Sequence, residues 1–472
     1  MSQQTIAIQS DRRGVTFTVA SAEALDHFDS AVESYLGFRR DTGEYLKWAL
    51  HADPDFAMAH CARGCFLKLL GNRALDARIA ESLAAMQASL ETRGGTRREH
   101  QHMAALAAWY GDDVQGALES WEAILLEDPL DILALKLANY VYFYVGDIRN
   151  VRDSVARVLY AWNDRTPGHG YVLGMYAFGL AETGDYVDAE AVGHRAVEIN
   201  SADIWAIHAV THTMEMQGRH REGADWLKTS EPAWVGCNNF ANHLWWHGAL
   251  FLMDLERYHA VLEGYDSRIR ADKTDDYLDI ANAASLLWRL EQAGVNVGRR
   301  WGELADKAAA RTDDHTTAFA DAHYMMALAA AGRHAEAKAL LDSMTAYARR
   351  QDGMAGHIVG EIGRPLCAGL HAFAQRDFGR AVELLEPIRY DLAHIGGSAA
   401  QRDVFDRTLV IAAVKSGRLK LARSLMSERS ADRPTSIWNW RTYARILAAL
   451  EDEAGAVGAW RKSRDLMSGL RL

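Results

Sequence analysis

Two pairs of histidines stand one helical turn apart in neighbouring segments of this 472-residue chain. His208 and His212 are followed by Glu215 in WAIHAVTHTMEM, and His243 and His247 lie in NHLWWHGALFL. Residues spaced i, i+4 and i+7 share one face of an α-helix, so each segment presents its polar groups together. Imidazole pairs bind zinc or another divalent transition metal, and an imidazole beside a carboxylate can act as a general acid or base.

Three interpretations of these five residues stay open on sequence alone. All five are candidate catalytic residues in an acid–base site, and the four histidines are candidate metal ligands. The chain has no HExxH motif, so a zinc-protease site is not indicated. The third interpretation is a polar binding or packing cluster, because a buried histidine is more often a hydrogen-bonded core residue than a ligand.

Aromatic and amide side chains accompany the histidines along the same helix faces. Half of the 14 tryptophans fall between residues 205 and 301. A groove lined by such side chains favours a cationic or aromatic ligand over a peptide carboxylate, which needs Lys, Arg and Asn. The candidate ligand-binding residues are Tyr140, Tyr171, Trp205, Asn242, Trp246, Asn282, Trp288 and His323.

A repeated turn between apolar helical segments supplies the elements that position these residues. Neighbouring turns are 34 to 44 residues apart, close to the period of tetratricopeptide (TPR) repeats. Small residues such as Ala177, Ala189 and Ala196 occupy the positions where two helices of a TPR unit pack closely. The predicted turns lie at or near Gly71, Asp112, Gly146, Gly184, Gly218, Glu256, Gly294, Gly332, Arg376, Gly417 and Glu451.

These repeats predict an all-α fold, an α-solenoid of about 11–12 TPR-like helical hairpins in a right-handed superhelix. We expect an N-terminal extension over 1–20, including the strand-like GVTFTV, and a single solenoid over 21–472. The first helix of each hairpin would line the concave surface. Two glycine-rich segments, 348–366 and 393–403, interrupt the regular spacing of the turns. We expect them to be loop insertions, which are either plain linkers or covers for the groove.

The amino-acid composition bears on the partners and the cellular location that we expect. Only 7 prolines occur, as suits an all-helical chain, and the net charge of −11 without a basic block argues against a nucleic-acid partner. No signal-peptide layout or run of 18 apolar residues appears, so we expect a cytoplasmic protein without a membrane partner. The four cysteines have no framework spacing and are expected to be reduced core thiols. A homo-oligomer remains open.

Several longer segments of the sequence resemble one known protein family. The sequence resembles the tetratricopeptide repeat protein 38 family and its bacterial relatives, best over about residues 80–330. The resemblance implies helical repeats and carries over no catalytic residue, because the family is named for its repeats alone. The phrases that carry it are TRREH, DILALKLANYVYFYVGD, RDSVARV, MYAFGLAETGDY, WAIHAVTHTMEM, NHLWWHGALFL, LLWRLEQAGVNVGRRW and DAHYMMA.

The favoured function is binding of a small molecule or short peptide in a concave groove lined by histidine and tryptophan. The alternative is an enzyme of hydrolase or lyase type, in which a metal or a His/Glu pair acts on a small molecule in a pocket closed by the superhelix. The sequence names neither the ligand nor the substrate.

Overall fold

The computed structural model describes residues 7–351 and 353–469 and confirms the all-α helical-repeat fold. Apart from one short β-hairpin, the regular structure of these residues is helical. The chain forms two compact units. The first unit comprises the described residues up to Val210 with Glu231–Ala241 and Arg350–His357, and the second comprises Thr211–Ser230, Asn242–Arg349 and the described residues from Ile358 onward.

The first unit is built from successive antiparallel helices after an N-terminal hairpin. Side-chain caps start many of these helices, as where Thr96 and Glu99 form a reciprocal capping box. Its elements are β1 (Ala7–Ser10), β2 (Thr16–Val19), α1 (Ala22–Leu36), α2 (Thr42–Ala52), α3 (Ala57–Leu69), α4 (Asp76–Arg93), α5 (Arg97–Tyr110), α6 (Val114–Glu127), α7 (Ile132–Tyr144), α8 (Ile148–Ala156), α9 (His169–Glu182), α10 (Tyr186–Ile199) and the start of α11 (Ile204–Met216).

The strand-like N-terminal segment forms half of a two-stranded antiparallel hairpin. Phe17 of β2 packs edge-on against Phe28 and Phe56, with ring centroids 5.4 and 6.1 Å away. The buried carboxylate of Glu99 accepts hydrogen bonds from the backbone N–H and the hydroxyl of Thr18, at 2.9 and 2.8 Å. The hairpin is therefore fixed to the first helices by an aromatic cluster and a buried carboxylate.

The second unit continues the alternation of helices. It contains two π-helical turns, at Tyr265–Ile269 and Ile358–Gly363. Its helices are the end of α11, α12 (His220–Ser230), α13 (Phe240–Asp254, entered at Asn242), α14 (Tyr258–Gly264), α15 (Tyr277–Gln292), α16 (Trp301–Ala309), α17 (Ala318–Ala330), α18 (His334–Arg350), α20 (Arg364–Ala374), α21 (Phe378–Leu385), α22 (Ala399–Lys415), α23 (Leu419–Asp432), α24 (Ile437–Ala449) and α25 (Glu453–Gly469), while the four-residue α19 (Met354–His357) belongs to the first unit.

The backbone confirms the predicted repeat register. All eleven predicted turn positions adopt a positive φ, between 57° and 86°. This conformation ends a helix and reverses the chain, and it is unusual for the four non-glycine residues among them: Asp112, Glu256, Arg376 and Glu451. The predicted small positions Ala177, Ala189 and Ala196 are fully buried. The turns and small residues together set the helix pairing.

The two glycine-rich segments differ from each other. Most of 348–366 is helical, because α18 runs to Arg350 and the π-helical turn Ile358–Gly363 leads directly into α20. The described non-helical residues of this segment are Gln351 and Gly353, and a side chain at Gly363 would approach Ala318 to 2.8 Å, which explains a glycine within a packed helix. The segment 393–403 contains a turn at Gly396 and Gly397, after which Ser398 caps α22.

Candidate functional site

Three histidines of the second unit lie together on α11 and α13. The ring of His247 has its centroid 4.5 Å from that of His212 and 4.7 Å from that of His243. One potential ligand atom from each of the three lies within 4.8 Å of the others. The i,i+4 spacing of His243 and His247 and the pairing of the end of α11 with α13 produce this group.

Hydrogen bonds orient two of these imidazoles. His247 Nδ1 lies 2.6 Å from Glu215 Oε2, and His243 Nδ1 lies 3.0 Å from Asn282 Oδ1. A carboxylate or amide oxygen only accepts, so each Nδ1 carries the proton and donates it. In the neutral ring, Nε2 is then the basic nitrogen, which is the tautomer that metal-binding histidines adopt when a neighbour holds Nδ1.

Burial and charge set the protonation of the group. Burial, with help from His247 and His212, lowers the pKa of His243 well below its ordinary value, although the hydrogen bond to Asn282 works the other way. Burial raises the pKa of Glu215, opposed by His212 and by two arginines. His243 is therefore neutral at neutral pH and has an electron pair to offer a metal.

Two further predicted ligand-binding residues lie on α13 beside the histidines. Trp246 stacks on His243 with ring centroids 5.2 Å apart, and its Nε1 donates to Ser285 Oγ at 3.2 Å. Asn242 donates through Nδ2 to Asp279 Oδ1 at 3.3 Å. Trp246 and His247 have no exposed surface. Both are core residues of the second unit.

His208 begins the histidine series one turn before His212 on the same helix, and the helical spacing puts both imidazoles on one face. The division between the compact units falls within α11, so His208 belongs to the first unit. There its ring packs on Phe178 and Phe240 at 5.4 and 5.2 Å and on Trp205 at 4.9 Å. The imidazole of His208 therefore lies at the edge of an aromatic cluster that contains Phe178, Trp205 and Phe240.

The same aromatic cluster surrounds a buried lysine. Lys136 Nζ lies over the rings of Tyr140, Trp205 and Phe38, at 4.2, 4.5 and 5.2 Å from their centroids. Burial lowers the pKa of Lys136 to about 7, and burial likewise raises the pKa of the nearby Asp203 to about 7. The predicted residues Tyr140 and Trp205 are therefore partners of an internal cation.

The other three predicted ligand-binding residues have different neighbours. Trp288 donates through Nε1 to Thr408 Oγ1 at 3.0 Å. His323 Nδ1 lies 2.7 Å from the carbonyl oxygen of Phe319, and burial lowers the pKa of His323 to about 4. Tyr171 lies at a surface pocket of the first unit. None of these described contacts involves the three clustered histidines.

An arginine pocket adjoins the histidines through Glu215, and no sequence motif indicated it. Three guanidinium groups form ion pairs with Asp403, whose carboxylate accepts from Arg429 Nη2 at 2.6 Å. Burial works to raise the pKa of Asp403, yet the arginines hold it well below its usual range. Its arginines come from α15, α22, α23 and the following turn, so no local sequence spacing indicates the pocket. The arginines of this pocket are Arg289, Arg407, Arg429 and Arg433.

Comparison with known proteins gives similarity in helical repeats only. No family model matches the sequence. Solved structures that align with the chain include Naa15/Naa10 bound to HypK-THB (13% identity, 92% of this chain and 67% of that chain, TM-score 0.25) and the P58(IPK) TPR domain (12%, 78% and 93%, 0.23). A human IFIT1 dimer with PPP-AAAA aligns at 12% identity over 95% and 96%, with a TM-score of 0.37. At these values no function carries over.

Among residues 7–351 and 353–469, no helix combines the length and the apolar character needed to cross a bilayer.

Proposed function

We propose that this helical-repeat protein binds a divalent transition metal, zinc in the first place, at His212, His243 and His247. The observation that carries the proposal is the grouping of three ligand atoms within 4.8 Å, beside a carboxylate hydrogen-bonded to one of the rings. His208, one turn before His212 on α11, is a candidate ligand from its sequence spacing alone, and its ring packs in the aromatic cluster of the first unit.

The donor set suits zinc. Zinc–nitrogen bonds of about 2.0–2.1 Å place tetrahedral ligand atoms about 3.3 Å apart, so the rings need to approach one another by up to about 1.5 Å. Glu215 and Asn282 fit the role of residues that orient a ligand and raise its basicity, because each accepts from the Nδ1 of a histidine.

The ligand proposed for the adjoining pocket is the anionic group of a small molecule, because the cavity itself encloses only about 30 Å³. The pocket residues include four arginines against three carboxylates, Asp254, Asp403 and Glu215. A guanidinium group binds a carboxylate or phosphate through two parallel hydrogen bonds. The burial of Trp246 and His247 favours a small molecule over a short peptide, since an extended peptide needs an exposed groove.

An enzyme of hydrolase or lyase type is the second candidate, and the 2.6 Å contact between Glu215 and His247 favours it. A carboxylate that accepts from Nδ1 makes Nε2 of the same imidazole a better base. His243 is neutral because its pKa is lowered, and the same shift makes its imidazole a weak base. The proposed acid–base pair is therefore Glu215–His247.

Calorimetric titration tests the metal proposal. We expect protein stripped of metal with a chelator to bind about one equivalent of zinc. The variants His212→Ala and His247→Ala should each reduce the affinity at least tenfold, while His259→Ala, which removes an exposed histidine of α14, should leave it unchanged. Circular dichroism checks that each variant is folded.

Two results would overturn the metal proposal. One is the absence of saturable zinc binding by the folded wild-type protein. The other is equal zinc affinity in His212→Ala, His247→Ala and His259→Ala, since binding would then involve other histidines. Binding of a small phosphorylated or carboxylated probe that is lost in Arg433→Gln would support the anionic ligand separately.

Three broader assignments belong to the same proposal. Membership of the tetratricopeptide repeat protein 38 family rests on the sequence phrases of α5 to α17. A cytoplasmic location is supported by four buried, unpaired cysteines, which suit a reducing compartment. A homo-oligomer is the remaining assignment, and sedimentation analysis distinguishes it from a monomer.

A further inference from the structure

A second constellation in the second unit has the hydrogen-bond order of a nucleophilic triad. His315 Nδ1 lies 3.0 Å from Asp321 Oδ2, and His315 Nε2 lies 2.9 Å from Ser343 Oγ. The ionised carboxylate only accepts, so Nδ1 carries the proton and, in the neutral ring, Nε2 accepts from the serine hydroxyl. The three side chains thus form a Ser–His–Asp chain.

Three different elements bring these residues together. His315 lies between α16 and α17, Asp321 lies in the first turn of α17, and Ser343 lies in the middle of α18. His315 has a φ of 47°, a left-handed conformation that few non-glycine residues adopt. The backbone here holds the imidazole between the carboxylate and the hydroxyl, and such conformations concentrate at functional sites.

The burial of the three side chains decreases from Asp321 and His315 to Ser343. Asp321 and His315 are buried, whereas Ser343 is half-buried and its neighbour Asp342 is exposed. Tyr347, one turn after Ser343 on α18, packs on the His315 ring at 5.4 Å and helps to fix it. The serine is therefore the most exposed of the three residues, while the base and the orienting carboxylate are buried. This order places the nucleophile position nearest to solvent, as catalysis requires.

We propose that Ser343 is the nucleophile of an acyl-transfer site, separate from the histidine cluster, that acts on small carboxylic esters. Ser343 Oγ forms a bond to the ester carbonyl carbon while its proton passes to His315 Nε2. The bond to the alcohol oxygen breaks, and the alcohol leaves with that proton. Water then attacks the acyl carbon with His315 Nε2 as base, the bond to Ser343 Oγ breaks, and His315 returns the proton to the serine as the acid leaves. Asp321 positions His315 throughout.

Labelling with a fluorophosphonate tests this proposal, because a reactive serine displaces fluoride and retains the phosphonyl group. The full-length protein is incubated with the probe in the presence of a chelator, and the modified peptide is located by mass spectrometry. We expect stoichiometric modification of Ser343 in the wild-type protein and none in Ser343→Ala. The matched control Ser424→Ala removes a helical serine that donates to the Lys420 carbonyl oxygen, and it should label like wild type.

Asp321→Asn tests the positioning role. We expect it to slow labelling by about 10³–10⁴-fold, because an amide no longer selects the tautomer of His315 that accepts the hydroxyl proton. The melting temperature shows whether the variant remains folded. Absence of labelling at Ser343 in the wild-type protein would overturn the proposal, as would equal labelling of Ser343 and Ser424. The chelator makes the result independent of zinc binding at the other site.

Discussion

Replacement of Lys136 by methionine tests how the aromatic cluster of the first unit is held together. The ammonium lies 4.2 to 5.2 Å from the ring centroids of Tyr140, Trp205 and Phe38. Burial lowers the pKa of Lys136 from 10.5 to about 7, against the opposing effect of Asp203. At ~1.36 kcal/mol per pKa unit, folding with the lysine charged costs on the order of 5 kcal/mol relative to an unperturbed lysine.

The pH dependence has a definite sign. The folded state disfavours the ammonium, so its destabilising effect is complete below pH 7 and fades as pH rises from about 7 to 10.5. Methionine keeps the buried stem and removes the charge. We expect Lys136→Met to raise the free energy of unfolding by about 2–4 kcal/mol at pH 6, less than the full cost because methionine fills the site imperfectly. At pH 6, Asp203 is mostly protonated, since its own pKa is raised to about 7.

Urea unfolding at pH 6 and pH 9.5, followed by circular dichroism, measures this effect. The difference between Lys136→Met and wild type should shrink at the higher pH. The control Lys338→Met, at a side chain that is 74% exposed, should change stability by no more than about 0.5 kcal/mol. A destabilised Lys136→Met at pH 6 would refute the reasoning, because the ammonium would then stabilise the fold through its contacts with the rings.

Two further predictions concern the metal site and the helix packing. Glu215→Gln keeps an acceptor for His247 Nδ1 but loses the charge, so zinc affinity should fall about 10–100-fold in a chelator competition, and unchanged affinity would exclude an orienting role. Gly179→Ala should lower stability by about 2–4 kcal/mol in urea unfolding, because the new methyl would lie 2.5 Å from the Arg152 Cα, while Gly379→Ala, with open space around it, should be neutral. Equal effects of the two would contradict the close packing of α8 against α9.

The repeat architecture was predictable because the residues that determine each turn are close together in the sequence. A positive φ at each hairpin turn favours glycine or a short polar segment, and small residues recur where helices pack closely, so eleven turns could be placed from sequence. The pairing of His243 with His247 follows from helical spacing in the same way. The environment of these side chains was harder to predict, since Trp205 and Trp246 are buried rather than exposed to a groove.

Contacts between distant segments of the chain leave no comparable pattern in the sequence. The arginines around Asp403 and the triad of Ser343, His315 and Asp321 depend on which helix face meets which. A histidine in a turn before a helix, such as His315, reads as an ordinary loop residue until its φ and its two hydrogen bonds are known. The glycines of 348–366 were misleading for a related reason, because tight packing, as at Gly363 against Ala318, selects glycine within helices as well as in loops.

X-ray absorption at the zinc edge of the one-to-one complex tests the central claim most directly. The histidine site predicts a first shell of about four light atoms, with nitrogen at about 2.0–2.1 Å and the outer-shell scattering of imidazole rings. The His212→Ala variant should lose one imidazole contribution. A six-coordinate oxygen shell without imidazole scattering, or a spectrum that is the same in His212→Ala, would contradict the assignment of zinc to this cluster.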